Sequence, residues 1–246
     1  MKLLVSDYDD TFNTYISDHN VKLNVRKLNE FIDNGNMFML SSGRSFNSLM
    51  DKVQKYKIPI SYLATQDGSQ LFDRNGTLLF ERELDTEIVD KFDHLASLGK
   101  HKEIQYGTTR EYYYEEPKLP IANINFIIDE KEITTEFNRE WNRLKKENKE
   151  KYNLIRYGYQ GTYYYCIKPI GIDKAKPVEE LAKIVGLSKT NIFTVGDGDN
   201  DVPMIENYNG YVIGKKENAN RVALKQYDEV YELIDEIEKN KVLRRW

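Results

Sequence analysis

The chain has 246 residues, of which 40% are hydrophobic and 31% are charged, and its formal net charge is −4. This length can form one large domain or two small ones, and either can bury a proper core. Because acidic and basic residues are intermixed, the charge gives no reason to expect nucleic acid or an anionic membrane as a partner. A single cysteine, Cys166, excludes an internal disulfide and a thiolate metal cluster. With no visible signal peptide or membrane span, we expect a cytoplasmic protein.

The N-terminal third of the chain alternates short apolar runs with amphipathic segments of helical period. Unbroken apolar runs that end at polar turn residues are typical of strands buried on both faces of a parallel sheet. The alternation of strand and helix indicates right-handed crossover connections. Strands are predicted near residues 3–5, 37–40 and 62–64, and helices around residues 25–32 and 49–53. The chain is expected to be irregular through His19, and Asn75-Gly76 predicts a type I′ turn in a hairpin.

The pattern changes near Glu83, where each helix is followed by several strands. Two such rounds predict an α+β insert with an antiparallel sheet, built from two similar halves. Its predicted helices lie around residues 88–95 and 133–144, and its strands near residues 104–106, 112–114, 124–128, 152–159 and 163–167. After Pro169 the alternation returns. We therefore predict an α/β fold, with a doubly wound, Rossmann-like parallel-sheet core of residues 1–81 and 170–246 and an inserted α+β domain of residues 82–169.

Polar side chains follow the ends of the predicted core strands, where open α/β sheets bind their ligands. Asp7 and Asp9 follow the first strand and lie on the same side if the chain stays extended, because strand side chains alternate. The other groups are Ser42, Gly43 and Arg44 after the second strand, Lys174 after the insert, and Asp197, Asn200 and Asp201 after the strand at 192–195.

These residue types favour phosphoryl chemistry. Carboxylates without histidine or cysteine beside them form a hard oxygen site that suits Mg²⁺. Such a site with a lysine and a hydroxyl supplies the positioning and charge neutralisation that phosphoryl transfer requires. Each group also has an ordinary interpretation: residues 7–11 and 196–201 as turns, Ser42 as a helix N-cap, Lys174 as a solvated residue and Arg44 as a structural pairing partner in the core domain. The occurrence of all these groups together, in order along one chain, argues against independent coincidences.

Four motifs, in order along the chain, resemble those of the haloacid dehalogenase-like phosphatases. Asp7-Tyr8-Asp9-Asp10-Thr11 matches the D-x-D-x-T signature, and Ser42-Gly43-Arg44 is similar to the second motif, usually Thr-Gly-Arg. Gly171-Ile172-Asp173-Lys174 resembles the third motif, and the run from Gly196 to Asp201 resembles the fourth. The insert is similar in position and pattern to the cap of the Cof-type subgroup, so the resemblance covers the whole chain.

The sequence departs from that subgroup at three positions. Asp10 stands where Gly is usual, Ser42 replaces Thr with the hydroxyl kept, and Asp67-Gly68 replaces Asn-Gly.

The resemblance implies a role for each matched residue. Asp7 would attack phosphorus and form an aspartyl-phosphate, and Asp9 would protonate the leaving alkoxide and later deprotonate water. Asp9 must then hold a proton when substrate binds, which a neighbouring negative charge promotes. Mg²⁺ would be bound by Asp7, the Asp9 backbone carbonyl and Asp197, with Asp201 holding its waters or a nearby basic group. The groups expected to hold the phosphoryl oxygens are Ser42, Lys174, Asn200 and the backbone N–H groups of Tyr8 and Gly43.

We therefore expect a Mg²⁺-dependent phosphoric monoester hydrolase that acts on small phosphomonoesters such as sugar phosphates. A phosphomutase or phosphotransferase would share the covalent intermediate, and a non-catalytic phosphate-binding regulatory protein is a third alternative. A receiver domain also clusters Asp and Lys around Mg²⁺, but in a different order along the chain and without a large insert.

Two tyrosine runs in the insert, at residues 112–114 and 163–165, have two interpretations. They either pack the small sheet against its helices or stack on a flat face of the substrate. Because successive strand residues face opposite sides, each run is expected to send tyrosines both ways.

Overall fold

A computed structural model describes residues 1–15, 18–115, 117, 120–159, 161–214, 217–240 and 242–245, without the side chains of residues 157 and 159. The chain divides into two compact units. The first is Met1–Phe80 with Asp173–Trp246, and the second is Glu81–Ile172. These boundaries lie one and three residues from those expected at 81 and 170.

Within the described residues, strands and helices alternate through most of the first unit, whereas each helix of the second unit is followed by several strands. The strands are β1 (Leu3–Ser6), β2 (Met37–Ser41), β3 (Tyr62–Thr65), β4 (Gln70–Asp73), β5 (Leu78–Glu81), β6 (His101–Gly107), β7 (Tyr112–Tyr113), β8 (Asn123–Asp129), β9 (Tyr152–Tyr159), β10 (Thr162–Pro169), β11 (Ile192–Gly196), β12 (Asn209–Ile213) and β13 (Gln226–Tyr227). The helices are α1 (Asp18–Asp33), α2 (Phe46–Tyr56), α3 (Thr86–Ser97), α4 (Thr135–Asn148), α5 (Lys176–Val185), α6 (Val202–Asn207), α7 (Glu217–Val222) and α8 (Val230–Glu238). Short 3₁₀ turns include Gln66–Gly68 and Asp199–Asp201.

The first unit contains a sheet with the strand order β13-β12-β11-β1-β2-β3-β4-β5, as far as the described residues show. β1 lies in its centre and pairs in parallel with both β11 and β2. All four residues of β1 are buried, and its three apolar residues alternate between two clusters: Leu4 belongs to one, and Leu3 and Val5 to the other. The predicted doubly wound α/β core is therefore confirmed. Its parallel register places the carboxyl ends of β1, β2 and β11 side by side.

Helix boundaries follow from local chemistry. α5 has Pro177 in its first turn, where the missing N–H has no intrahelical partner to lose, and ends at Gly186 with a left-handed φ of 67°. Ser45 caps α2 by accepting a hydrogen bond from the Ser48 N–H. α1 begins at Asp18, so the irregular stretch expected through His19 ends earlier than predicted.

The turn between β4 and β5 differs from the predicted type I′ turn. A type I′ turn requires positive φ at both central residues. Here Gly76 has a φ of 81°, but the φ of Asn75 is not positive. The Gly76 N–H donates to the Asp73 carbonyl at 3.0 Å, and the Asp73 carboxylate accepts from the N–H groups of Asn75 and Thr77, both at 2.8 Å. These bonds fit a longer hairpin loop with glycine in its left-handed position.

The second unit contains an antiparallel sheet of order β7-β6-β8-β10-β9 within the described residues, as predicted for the insert. Alternate residues of β8, such as Phe126, join a buried cluster with residues of α3 and α4. Tyr165 is buried in this cluster and stacks on Phe126 with ring centroids 4.9 Å apart. Tyr164, its neighbour on β10, points to the opposite face and is half-buried. The second tyrosine run therefore sends side chains to both faces, and Tyr165 packs against the helices.

Among the helices of the described residues, none combines the length and the hydrophobicity that a membrane crossing requires.

Candidate active site

The ends of β1 and β11 place two predicted acidic residues together. The Asp7 N–H donates to the Val195 carbonyl at 3.0 Å, which continues the ladder beyond the strands. The Thr11 hydroxyl donates to the Asp197 carboxylate at 3.1 Å. Both carboxylates are buried, with 5% of Asp7 and 7% of Asp197 exposed. The D-x-D-x-T segment is thus joined to the glycine-rich loop after β11 through its threonine.

Lys174 is the cation at the centre of this acidic group. Its side chain is buried, and its ammonium donates to Asp7 Oδ1 at 2.6 Å and to Asp201 Oδ1 at 2.7 Å. Burial acts to lower the pKa of Lys174, but the carboxylates of Asp7 and Asp201 outweigh it and hold the pKa above its usual value. Burial, together with Asp201 and Asp197, raises the pKa of Asp7, while Lys174 opposes this rise. Lys174 is therefore a charged residue of the site and not a solvated one.

Asp201 holds the loop after β11 in place. Its Oδ2 accepts from the N–H groups of Asp197 at 3.0 Å and Gly198 at 2.9 Å, while its Oδ1 accepts from Lys174. A Cβ on Gly196 would lie 2.3 Å from the Asp201 carboxyl carbon, so glycine is needed there. Of the two roles expected for Asp201, holding a nearby basic group matches these contacts.

The same residues fit a divalent cation. Asp7, Asp197 and Asp201 each offer a carboxylate oxygen within 4.8 Å of the others. Two of these carboxylates, Asp7 and Asp201, share the Lys174 ammonium, and Asp197 adds a third acidic group, so negative charge accumulates here unless protons or a cation reduce it. Oxygen donors without nitrogen or sulfur suit a hard ion such as Mg²⁺. The predicted metal ligands Asp7, Asp197 and Asp201 are thus brought together.

The side chain of Asp9 is hydrogen-bonded by Arg44 and Tyr15. The Arg44 guanidinium forms a bidentate salt bridge with the Asp9 carboxylate, with Nε 2.7 Å from Oδ2 and an Nη atom 2.7 Å from Oδ1. The Tyr15 hydroxyl also donates to Oδ1. Burial acts to raise the pKa of Asp9, but the hydrogen bonds from Arg44 and Tyr15 hold it below its usual value. The expectation that Asp9 holds a proton when substrate binds concerns the bound state and stays a prediction, whereas Arg44 does pair with Asp9 within the core unit.

The residues predicted to bind phosphate surround the same strand ends. Ser42 is buried, and its hydroxyl oxygen accepts from the Arg44 N–H at 3.2 Å. The Asn200 side chain donates to Asp67 Oδ1 at 3.0 Å. Asp67 also borders Gly43, where an added Cβ would lie 3.3 Å from both Asp67 oxygens. The ring of Tyr8 is buried in the core, so its expected contribution stays limited to the backbone.

Two site residues were missed at the level of sequence. No sequence pattern indicated that Tyr15 belongs to the site, because it lies outside every motif. Asp67 was visible only as a departure from the usual Asn-Gly pair, although its place at the end of β3 is the kind of position that supplied the other site residues.

Comparison with known proteins identifies the family. A family model described as haloacid dehalogenase-like hydrolase matches residues 4–155 and 130–236. The 5-amino-6-(5-phospho-D-ribitylamino)uracil phosphatase YcsE of Bacillus subtilis is 24% identical, with 100% of this chain and 96% of that protein covered. A haloacid dehalogenase-like hydrolase from Bacteroides thetaiotaomicron has a similar structure, with a TM-score of 0.78 at 20% identity over 96% of this chain and 99% of that one. A HAD subclass IIB sugar phosphatase has a TM-score of 0.74 at 14% identity, covering 97% and 99%.

The chain therefore belongs to the haloacid dehalogenase-like hydrolase family, and it is an enzyme of the hydrolase class. The resemblance that its four motifs indicated is confirmed, and so is the fold that this resemblance implied.

Proposed function

We propose that this chain is a Mg²⁺-dependent phosphatase that hydrolyses small phosphomonoesters through an aspartyl-phosphate on Asp7. The observation that carries the proposal is the position of Asp7, buried beside Lys174 and within 4.8 Å of the Asp197 and Asp201 oxygens. A carboxylate there has a cationic side chain beside it and a hard oxygen site around it. The phosphatases among its relatives support the same reaction class.

The reaction proceeds in two displacements. An Asp7 oxygen attacks phosphorus, the bond from phosphorus to the leaving oxygen breaks, and Asp9 gives its proton to the leaving alkoxide. Asp9 then takes a proton from water, whose oxygen attacks phosphorus and releases inorganic phosphate from Asp7. Lys174, Ser42 and the backbone N–H groups after β1 and β2 hold the phosphoryl oxygens.

Asp9 has to gain a proton before the first displacement. In the ligand-free site its pKa is held down by Arg44 and Tyr15. The charge of a bound phosphoryl group next to Asp9 acts in the opposite direction and favours the protonated carboxyl. Arg44 meanwhile fixes the orientation of Asp9 through two hydrogen bonds.

The metal has a defined set of protein ligands in this proposal. Asp7, the backbone carbonyl of Asp9 and Asp197 would bind Mg²⁺ directly, and Asp201 would keep Lys174 and the loop in place. Bound Mg²⁺ supplies positive charge that neutralises phosphoryl oxygens and the attacking carboxylate.

We assign recognition of the rest of the substrate to the second unit, acting as a cap. One face of its sheet packs against α3 and α4, and the opposite face carries polar and aromatic side chains, including Tyr112, Asn125 and Tyr164. Such a surface suits a hydroxyl-rich group like a sugar or polyol, which amide and phenol groups can hydrogen-bond. Phenylalanine at Tyr112 and Tyr164 should change the ranking of substrates, and an unchanged ranking would count against this assignment.

The test is phosphate release from a panel of phosphorylated sugars, nucleotides and cofactors, with Mg²⁺ or with EDTA. Asp7→Asn should abolish release while the circular dichroism spectrum and the unfolding temperature stay near wild type. Asp10→Asn is a matched control, because Asp10 is an exposed neighbour with a left-handed φ of 60° that asparagine tolerates.

The outcomes separate the alternatives. Mg²⁺-dependent release that is lost in Asp7→Asn and kept in Asp10→Asn supports the phosphatase. Near-normal release by Asp7→Asn would rule out the mechanism. Release that requires a second sugar phosphate would point to a mutase or transferase, and no turnover by folded protein would point to binding alone.

A further inference from the structure

The short turn after β3 is strained in a way that its sequence does not explain. Gln66 and Asp67 both have a left-handed φ of 51°, although neither is glycine. A non-glycine residue in this region carries backbone strain, and such strain tends to occur at functional positions. Gly68 continues the turn with φ of 97°, and a Cβ there would lie 1.9 Å from the Asp173 carbonyl oxygen. The backbone of the turn is therefore in close contact with the segment that carries Lys174.

This turn is also tied to the loop after β2. The Gln66 N–H donates to the Arg44 carbonyl at 3.0 Å, and the Asp67 N–H donates to the Ser42 carbonyl at 3.1 Å. The strained conformation therefore has two backbone hydrogen bonds that hold it to the Ser42–Arg44 segment. In this conformation the Asp67 carboxylate lies close to Gly43.

The Asp67 carboxylate lies close to two of the phosphate-site loops, and its charge acts on Lys174. Its Oδ1 accepts from Asn200 at 3.0 Å, and both its oxygens would lie 3.3 Å from a Cβ on Gly43. Its negative charge is also among the causes that raise the pKa of Lys174. One side chain thus lies between the loops after β2 and β11, and its charge acts on the buried lysine.

A carboxylate at this position differs from an amide in two respects. It only accepts hydrogen bonds, so the amide nitrogen of Asn200 is the atom that turns toward it, and the second N–H of that amide is left available to a phosphoryl oxygen. It also adds a negative charge to a site that already contains Asp7, Asp197 and Asp201. Phosphate dianions are repelled by that charge wherever they bind in the site.

We propose that Asp67 is a positioning residue of the phosphate site, which orients Asn200 and whose charge weakens the binding of inorganic phosphate. This inference rests on the proposed function, because it takes the site to be one that binds a phosphoryl group. Weak binding of the product favours its release after each turnover.

The test is isothermal titration of inorganic phosphate into the protein with MgCl₂ present, a readout that needs no turnover. Asp67→Asn removes the charge and keeps an oxygen that can accept from Asn200. It should lower the dissociation constant of phosphate about tenfold, which corresponds to the removal of about 1.4 kcal/mol of repulsion. Asp67→Ala removes the charge and the acceptor together, so it should raise KM for a phosphate ester and lower kcat relative to Asp67→Asn.

Asp51→Asn is the matched control, because Asp51 is an exposed residue of α2 in the same unit. Its phosphate affinity should equal that of the wild type. An unchanged or weaker phosphate affinity in Asp67→Asn would overturn the charge effect, and equal kinetics of the alanine and asparagine variants would overturn the positioning role.

These measurements distinguish a failure of this inference from a failure of the proposed function. If wild-type protein binds phosphate but hydrolyses no ester, the phosphatase fails while the affinity comparison at Asp67 still decides the charge effect. If wild-type protein hydrolyses esters and Asp67→Asn matches it in phosphate affinity, the phosphatase stands and the inference about Asp67 fails.

Discussion

Replacement of Lys174 by methionine tests the electrostatic organisation of the site most directly. Methionine has a similar length and no charge, so Asp7 and Asp201 lose the ammonium that lies 2.6 Å and 2.7 Å from their oxygens. Both carboxylates are buried, with 5% of Asp7 and 0% of Asp201 exposed. They would remain beside each other and Asp197 without a compensating cation.

The expected loss follows from that burial. Removing one partner of a buried ion pair lowers the free energy of unfolding by about 3–5 kcal/mol, because a charge is left uncompensated. For a chain of this length, about 4 kcal/mol corresponds to a fall in Tm of about 8–16 °C. Turnover should also fall by a factor on the order of 10²–10³, since one donor to the phosphoryl oxygens is lost.

The pKa of Asp7 determines how the stability difference between wild type and Lys174→Met changes with pH. Asp7 already has a folded-state pKa above its ordinary value, and removal of Lys174 raises it further. A carboxyl with a raised folded pKa destabilises the fold progressively as pH rises from its ordinary value toward the raised one. Wild type and variant lose this stability alike up to the wild-type pKa of Asp7, about 8, so their difference in stability should grow above that pH and be larger at pH 9 than at pH 7.

The assay is urea unfolding followed by circular dichroism, at both pH values, with EDTA or with MgCl₂. Mg²⁺ should restore part of the stability of Lys174→Met, because a cation bound by the same carboxylates replaces some of the lost charge. Lys176→Met is the control: its ammonium pairs with Glu179 and Glu180 at the surface, where such pairs contribute about 0–1 kcal/mol. A loss no larger than the control's, or one independent of pH and Mg²⁺, would refute this reasoning.

Two further predictions concern neighbouring residues. Arg44→Met should lower Tm at pH 6 and have less effect below about pH 4. The pKa of Asp9 is lowered in the fold, so its pairing stabilises above the ordinary value and is lost as pH falls through the lowered one. A gap in Tm that stays constant from pH 6 to pH 3 would contradict this. Gly68→Ala should destabilise by about 3 kcal/mol or more in urea unfolding, because its Cβ would meet the Asp173 carbonyl at 1.9 Å. Gly35→Ala, with φ of 80° and open space around it, should lose only about 1–2 kcal/mol, and equal losses would show that contact with Asp173 is unimportant.

Some features of the site could be predicted because they depend on short stretches of chain. The apolar runs that became β1, β2 and β11 are local, and a run that is buried on both faces has few alternatives to a central parallel strand. Parallel strands align their carboxyl ends, so Asp7, Ser42 and Asp197 were expected near one another. The turn at Asn75 was mispredicted because the Asp73 side chain accepts two backbone N–H groups, which selects another hairpin loop.

The sequence by itself determined the class of fold, the order of the motifs and the chemical type of the site. Hydrophobic period and the placement of carboxylates after strands are properties of neighbouring residues, and they need no knowledge of distant contacts. Only the tertiary structure decided that Arg44 holds Asp9, that Lys174 bridges Asp7 and Asp201, and that Asp67 meets Asn200. Each of these contacts joins residues far apart in the chain. Their partners depend on how the loops pack at the strand ends, which the local sequence pattern does not specify.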